Sequence, residues 1–355
     1  MTGHRPERVS LGTFPTPLEP APRLAEAIGL RPDRLWVKRD DLTGLGGGGN
    51  KVRKLERTVG AALRDGADCL VTTGAAQSNH ARLTAAAGAR LGLAVTLVLS
   101  GDPGRAGKQG GNVLLDEILG ARIRWAGDAD DERLAALAGQ AAAELASAGA
   151  RPAVIPFGGS NRDGAVAYAD AARELQDQLQ DQLQDQRQDQ LQDQRQDQLQ
   201  GQRQDQALEQ LPAAATSVVA VGSGGTMAGL VAALGPGRVL GVDTGAVAAP
   251  RAAVAALAAA VAGRPIGQQA LRLRTDQVGA GYGHLTESAA AAIRLAARTE
   301  GIVLDPTYTG RAMAGLIAAV REGDLGRGEP IVFWHTGGLP GLFGHPESAG
   351  LAGAD

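Results

Sequence analysis

A single cysteine, Cys69, stands in the whole chain, so no disulfide forms within it and a reducing compartment is compatible. Cys69 lies in the apolar run 68–73 and reads as a small buried hydrophobe, not a nucleophile. Aromatic residues make up 3% of the 355, which leaves the core to Ala, Val and Leu. Neither sign of charge dominates. The balance of 35 Lys+Arg against 38 Asp+Glu gives −3, which excludes a polybasic surface for nucleic acid or an acidic membrane. Long apolar runs are missing too. The Ala-rich stretch 252–262 is too short and too weakly hydrophobic to span a bilayer, and the opening MTGHRPERVSLG carries no apolar leader segment. These absences point to a soluble cytoplasmic protein. The most telling shortage is lysine. Four of the 35 basic residues are lysine (Lys38, Lys51, Lys54, Lys108) and the other 31 are arginine.

Glycine, by contrast, is abundant, with 51 residues. Four of them, Gly46 to Gly49, precede Asn50 and Lys51. Arginine stays protonated in proteins. A lysine amine can lose its proton, attack a carbonyl and form a Schiff base. A lysine retained behind four glycines in an arginine-rich chain therefore points to carbonyl chemistry, and to pyridoxal 5′-phosphate (PLP) as the carbonyl partner. The loop fails as a Walker A phosphate loop, because Asn50 intervenes and Val52 follows the lysine. On its own it would read as a solvated lysine in a flexible turn.

The length favours two domains. Strand-like runs at 35–38, 69–73, 95–99, 153–156, 217–221, 239–242 and 331–334 alternate with helical stretches such as 53–65, 79–91, 107–119, 131–148 and 163–176. That alternation predicts an α/β fold with mostly parallel sheets and helices on both faces. Ligands on such sheets bind at the carboxyl ends of strands. Residues 177–206 form a four-residue repeat of the DQLQ type. At 3.6 residues per turn its Leu/Arg row drifts by about 40° per repeat and makes no fixed apolar stripe. The repeat predicts an exposed helical extension or a disordered insert, and without a heptad a tolerated expansion is favoured over a coiled coil.

Two further motifs stand where strands meet helices. Thr72 to Arg82 (TTGAAQSNHAR) brings Gln77, Ser78, Asn79 and His80 to a helix start. Ser78 or Asn79 would cap that helix, and its free amides suit an anion. Ser78 and His80 are two apart and do not form a nucleophile–base pair. Val221 to Gly229 (VGSGGTMAG) offers a phosphate cradle from Gly222, Ser223, Gly224, Gly225 and Thr226, or an ordinary tight turn. Near the C-terminus stand Gly281-Tyr282-Gly283, Asp305-Pro306-Thr307-Tyr308-Thr309-Gly310-Arg311 and His335-Thr336-Gly337-Gly338. The chain has only three tyrosines, and two of them lie here beside glycines or helix starts.

Taken together, from Phe14-Pro15-Thr16-Pro17-Leu18 to His335-Thr336-Gly337-Gly338, these motifs resemble the tryptophan-synthase-β-like (fold type II) PLP enzymes. Within them they are most similar to the branch containing 1-aminocyclopropane-1-carboxylate (ACC) deaminase and D-cysteine desulfhydrase. The resemblance implies a two-domain, three-layer α/β/α fold, with a large PLP-binding domain at 1–51 and 159–355 and a small α/β domain at 52–158. It implies Lys51 as the cofactor-bearing lysine and Asn79 on the ring oxygen. Gly222, Ser223, Gly224, Gly225 and Thr226 hold the phosphate, and Thr309 meets the cofactor. Ser78, Asn79, His80 and Thr336 meet the substrate, and Lys51, Ser78, Tyr282 and Tyr308 act in catalysis. No metal is implied. The implied assembly is a homodimer acting on a small amino acid.

Ring-opening deaminases of this branch carry a glutamate after the tyrosine at the place of Tyr308 and a leucine at the place of Thr336. Thr309 and Thr336 match the desulfhydrase pattern instead. A carboxylate at the ring nitrogen strengthens the electron sink more than a hydroxyl does, and thiol elimination needs that less than opening a cyclopropane. Ala75-Ala76, and Arg311 in place of a usual lysine, depart from the family without breaking the pattern. The expected reaction is elimination from D-cysteine. Alternatives are ACC deamination, elimination from L-cysteate or 3-chloro-D-alanine, and an inactive PLP-binding scaffold.

Overall fold

The computed structural model describes residues 8–104, 110–199 and 215–352. Its strands are β1 (Leu18–Pro20), β2 (Leu35–Lys38), β3 (Cys69–Ala75), β4 (Ala94–Ser100), β5 (Arg122–Trp125), β6 (Pro152–Val154), β7 (Thr216–Val221), β8 (Val239–Asp243), β9 (Arg272–Arg274) and β10 (Ile331–Trp334). The α-helices are α1 (Pro22–Ala27), α2 (Lys51–Arg64), α3 (Asn79–Leu91), α4 (Gly111–Ile118), α5 (Asp131–Ser147), α6 (Arg162–Leu199), α7 (Gly225–Leu234), α8 (Pro250–Ala262), α9 (Glu287–Glu300), α10 (Thr309–Glu322) and α11 (Leu339–Gly344). Among these residues no helix is long and apolar enough to cross a membrane.

Two sheets result. One runs β1-β2-β10-β7-β8-β9, with β1 antiparallel to β2 and the other pairs parallel. The other runs β5-β4-β3-β6 and is parallel throughout. The central strands β7 and β10 are buried along their whole length. Helices cover both faces of such a sheet, so its inner strands read as continuous apolar runs. Every strand of the smaller sheet comes from 69–154, and the larger sheet takes its strands from both sides of that stretch. We propose 52–158 as the limits of the small domain on this ground.

The expected inner strands appear with bounds shifted by two residues at most. The differences lie at sheet edges. β1, β5 and β9 were not expected, and β6 covers Pro152–Val154 where 153–156 was read. Edge strands are short and carry charge, as Arg122 and Arg124 do in β5, so they lack the apolar signal. The helix expected from 107 begins at Gly111, and residues 107–109 lie outside the described residues.

Of the two readings of the repeat, the helical one holds through Leu199 as a continuation of α6; residues 200–206 lie outside the described residues. Its first turns are docked. Gln178 Nε2 donates to the Thr16 carbonyl at 2.9 Å and Gln182 Nε2 to that of Leu18 at 3.4 Å.

A buried polar network joins α2 and α6 to the larger sheet at β2. Arg53 donates to Asp40 (2.9 Å) and to both carboxylate oxygens of Glu174 (2.8 and 2.9 Å). The Lys38 ammonium reaches the Thr16 carbonyl at 2.7 Å, Glu174 at 2.5 Å and Gln178 at 2.5 Å. Burial pulls Lys38 down from its ordinary value while Glu174 pulls it up. With three oxygens at those distances, the charged form is the one that fits. The Tyr168 hydroxyl closes the network on Asp40.

Burial works against the charged form of Glu174, but Arg53 and Lys38 outweigh it and hold the group at about 2, below its ordinary 4.5. A depressed acid contributes stability that is present above its unfolded value and lost as pH falls through the folded one. Glu174→Gln is therefore expected to lower stability near neutral pH by about 3–5 kcal/mol, with the gap closing between pH 4.5 and 2. Urea midpoints of the two proteins across that range check this; a gap that does not change with pH contradicts it.

Candidate active site

The cleft opens where β2, β3, β7 and β10 end. After β2, the chain makes the glycine loop and delivers Lys51 as the first residue of α2. Gly46 to Gly49 all have positive φ. Three of these positions have a steric reason as well, since a Cβ on Gly46 would stand 2.6 Å from that of Ala86. A Cβ on Gly48 would overlap the Asp41 carbonyl, and one on Gly49 would stand 3.1 Å from the Thr336 carbonyl. The loop is pinned by Asn50 N–H to the Thr336 carbonyl (3.0 Å) and by Arg82 Nη2 to the Gly48 carbonyl (2.7 Å). Lys51 thus faces the cleft with one polar partner, Asn50 Oδ1 at 3.1 Å. Burial, then the charge of Arg82, lower its amine to about 8 against the pull of Asp305.

One turn further along α2, Lys54 enters the same cleft. It is buried and, among the described residues, its amine meets only neutral oxygens, the Gly158 carbonyl and Ser160 Oγ, both at 3.2 Å. Burial, reinforced by Lys51, pushes it well below the usual lysine value. Opposite stands the turn from β7 into α7. Gly222, Ser223, Gly224 and Thr226 line the cleft, while Gly225 lies behind them with its N–H on Ser160 Oγ at 3.2 Å. The first intrahelical bond of α7 runs from Ala228 N–H to Gly224, so the amides of Gly225, Thr226 and Met227 have no intrahelical acceptor. Asn50 Nδ2 donates to Thr226 Oγ1 at 3.0 Å and ties the lysine loop to this turn.

The third wall is the start of α3. Ser78 caps it, its Oγ accepting from Ala81 N–H at 3.2 Å. The Asn79 oxygen is held by Asn112 Nδ2 (3.2 Å) and Arg82 Nη1 (3.3 Å), which leaves the amide NH₂ as the group offered to the cleft. His80 also lines the cleft, but its Nε2 bonds Thr72 Oγ1 at 2.9 Å and Thr72 donates on to the Ile155 carbonyl. Burial, with Lys51 and Lys54 nearby, pushes His80 well below its ordinary value, so it is a neutral ring engaged with its own strand.

The fourth wall carries the tyrosines. Tyr308 lines the cleft, and the Tyr282 hydroxyl meets its hydroxyl at 2.7 Å with the rings edge-on. Burial drives the Tyr308 hydroxyl well above the usual tyrosine value, so it stays protonated at neutral pH. Asp305 anchors this wall by accepting the N–H groups of Thr307, Tyr308 and Thr309 at 2.8–3.0 Å. Thr336 lines the cleft beside Gly337.

Thr309, expected to meet the cofactor, stands behind this wall and outside the residues that line the cleft. Its hydroxyl donates to Asp305 Oδ1 at 2.7 Å and accepts from the Asp305 N–H at 2.8 Å. A threonine four residues after an aspartate at a helix start satisfies that aspartate locally. Asn50, Lys54, Arg82, Ser160 and Asp305 belong to the site's machinery and were not singled out from the sequence. For Lys54 the scarcity of lysine was a usable signal.

The model of the family described as "Pyridoxal-phosphate dependent enzyme" matches residues 9–188 and 189–337. This chain belongs to that family. Its relatives include a D-cysteine desulfhydrase of Klebsiella pneumoniae, 38% identical over 351 residues and 96% of each chain. One of Salmonella schwarzengrund is 38% identical over 353 residues, again 96% of each. Among solved structures, an ACC deaminase homologue superposes with a TM-score of 0.78 at 34% identity, over 97% of this chain and 95% of the other. The fold is thus that of the fold type II PLP enzymes, and the cofactor of the family is PLP.

The cleft fits that cofactor by its own chemistry. Two lysines, Lys54 buried and Lys51 half-buried, share it with no carboxylate bonded to either amine among the described residues, an arrangement that asks for an anion. The free amides of the β7–α7 turn suit a phosphate, and the amine of Lys51, lowered to about 8, suits an aldehyde. Lys54→Met is expected to weaken PLP binding about 10- to 100-fold, the loss of one charged hydrogen bond. Titration of the apoprotein with PLP, followed by visible absorbance, measures it; unchanged affinity would show that Lys54 does not meet the phosphate.

Proposed function

We propose that the protein cleaves D-cysteine to pyruvate, hydrogen sulfide and ammonia. One water is consumed after loss of the Cα proton and the Cβ–S bond releases aminoacrylate. When bound, PLP supplies the aldehyde for the substrate amine and the sink for electrons at Cα. The remaining work falls to this chain. Lys51 is the amine that holds the cofactor and, once free, the base for the Cα proton, with burial keeping a useful fraction of it neutral. Lys54 and the turn from Gly222 to Thr226 take the phosphate, and the Asn79 NH₂ takes the ring oxygen. Ser78, through its capping of α3, and the first amides of that helix receive the substrate carboxylate. His80 holds that helix start in place. Tyr308, neutral and backed by Tyr282, donates the proton that the departing sulfur needs. Thr336 borders the substrate.

The observation that carries this reading is the presence, in one cleft, of a weakened lysine amine, an anion-binding turn and a paired phenol donor. The desulfhydrase names of the Klebsiella and Salmonella relatives support the substrate. The ACC deaminase homologue among solved structures keeps ring opening as the second reading. Family likeness also supports a homodimer. The test is sulfide release from D- and L-cysteine, with α-ketobutyrate release from ACC assayed beside it. We expect sulfide from D-cysteine at a kcat/KM at least 10²-fold above that for L-cysteine, a difference of about 2.7 kcal/mol. α-Ketobutyrate without sulfide would replace this reading with deamination.

A further inference from the structure

Arg311 is fully buried, in the first turn of α10, yet no carboxylate lies within ion-pair distance of it among the described residues. Its guanidinium is spent on three carbonyls. Nη1 donates to Thr244 at 2.6 Å, and Nη2 donates to Gly281 at 2.7 Å and His284 at 2.6 Å. Nε has no hydrogen-bond partner among the described residues. A buried charge held only by backbone dipoles is costly, so what those dipoles belong to is informative. Gly281 and His284 bracket Tyr282. Thr244 follows β8, and its N–H and hydroxyl both donate to the Val221 carbonyl, one residue before the Gly222 turn. One side chain therefore ties together the Tyr308 helix, the flank of the anion-binding turn and the Tyr282 loop.

That loop cannot hold itself. Residues 279–285 contain neither helix nor strand, and Gly279, Gly281 and Gly283 all have positive φ. Its internal backbone bonds are long, 3.3 Å from Gly281 N–H to Val278 and 3.5 Å from His284 N–H to Gly281. A second tether comes from the C-terminal side. His345 Nδ1 accepts from Glu347 N–H at 3.2 Å, so its Nε2 carries the proton and donates to the Gly283 carbonyl at 2.8 Å. Tyr282 is 36% exposed, and its hydroxyl meets that of Tyr308.

We propose that Arg311 is a positioning residue that fixes the 281–284 loop and so places the Tyr282 hydroxyl against that of Tyr308. The proposal rests on the reading of the tyrosine pair as proton donor. Arginine is needed because its planar fork reaches Thr244 on one arm and Gly281 and His284 on the other. A lysine is a point charge and cannot span both sides, which gives a meaning to the arginine that stands where the resembled family usually has lysine.

The test compares Arg311→Lys and Arg311→Met with the parent, each as holoenzyme, alone and combined with Tyr282→Phe. Hydrogen exchange of peptides covering 278–285 is expected to quicken tenfold or more in Arg311→Lys, with β7 and β10 unchanged. In D-cysteine turnover, kcat is expected to fall about tenfold with KM within twofold. On the Tyr282→Phe background, Arg311→Lys is expected to lower kcat by less than a further twofold, because the group it positions is gone. Unchanged exchange at 278–285, or the same tenfold loss on both backgrounds, overturns the proposal. Should Arg311→Met not fold, Arg311→Lys keeps the charge and carries the test. A parent without turnover removes the reading of the site, while exchange still decides the tether.

Discussion

Two lysine amines share one cleft without an acid bonded to either among the described residues, and the chemistry proposed for the protein depends on that imbalance. Each amine taken alone is held low by burial, and each lowers the other or is lowered by a neighbouring cation. An anion entering between them relieves the cost of that burial. We propose that the cleft selects a ligand with negative charge for the Lys54 end and a carbonyl for the Lys51 end, and a phosphorylated aldehyde has both. The glycine loop makes this geometry possible by letting the chain pass within contact distance of the Thr336 turn before it enters α2.

The polar network around Asp40 and Glu174 has a different kind of importance. It joins α2, which carries both lysines, to the larger sheet and to α6. Arg53 lies between Lys51 and Lys54 in sequence but points to the opposite side of the helix, into this network. The helix thus shows one face to the cleft and the other to the clamp, so the position of the Lys51 amine is inherited from a set of buried ion pairs that lie outside the cleft. Arg82 and Asp305 do similar work on the other walls, one pinning Gly48 and Asn79, the other the Tyr308 turn.

Much of this was legible in the chain itself. The inner strands at 217–221 and 331–334 are uninterrupted apolar runs, as a sheet covered on both faces requires, and Lys51 stood out because lysine is scarce. What was not legible has physical causes. Edge strands such as Arg122–Trp125 carry charges because one side faces water. The Lys38–Glu174 contact joins residues 136 apart, and no local pattern reports such a pairing. The bond from the Thr309 hydroxyl to Asp305 was not legible either, because family likeness assigns a position in the chain but not the direction of a hydroxyl. Lys54 was overlooked although the same scarcity argument covered it. The burial that gives it meaning belongs to the fold and not to its neighbours in sequence.

With only four lysines in the chain, the covalent claim has an unusually clear readout. Borohydride reduction of the PLP-loaded protein, followed by peptide mapping, locates the cofactor on one residue. The account predicts label on Lys51, and none in Lys51→Ala. Label on Lys54, or no stable label on any lysine, would contradict it.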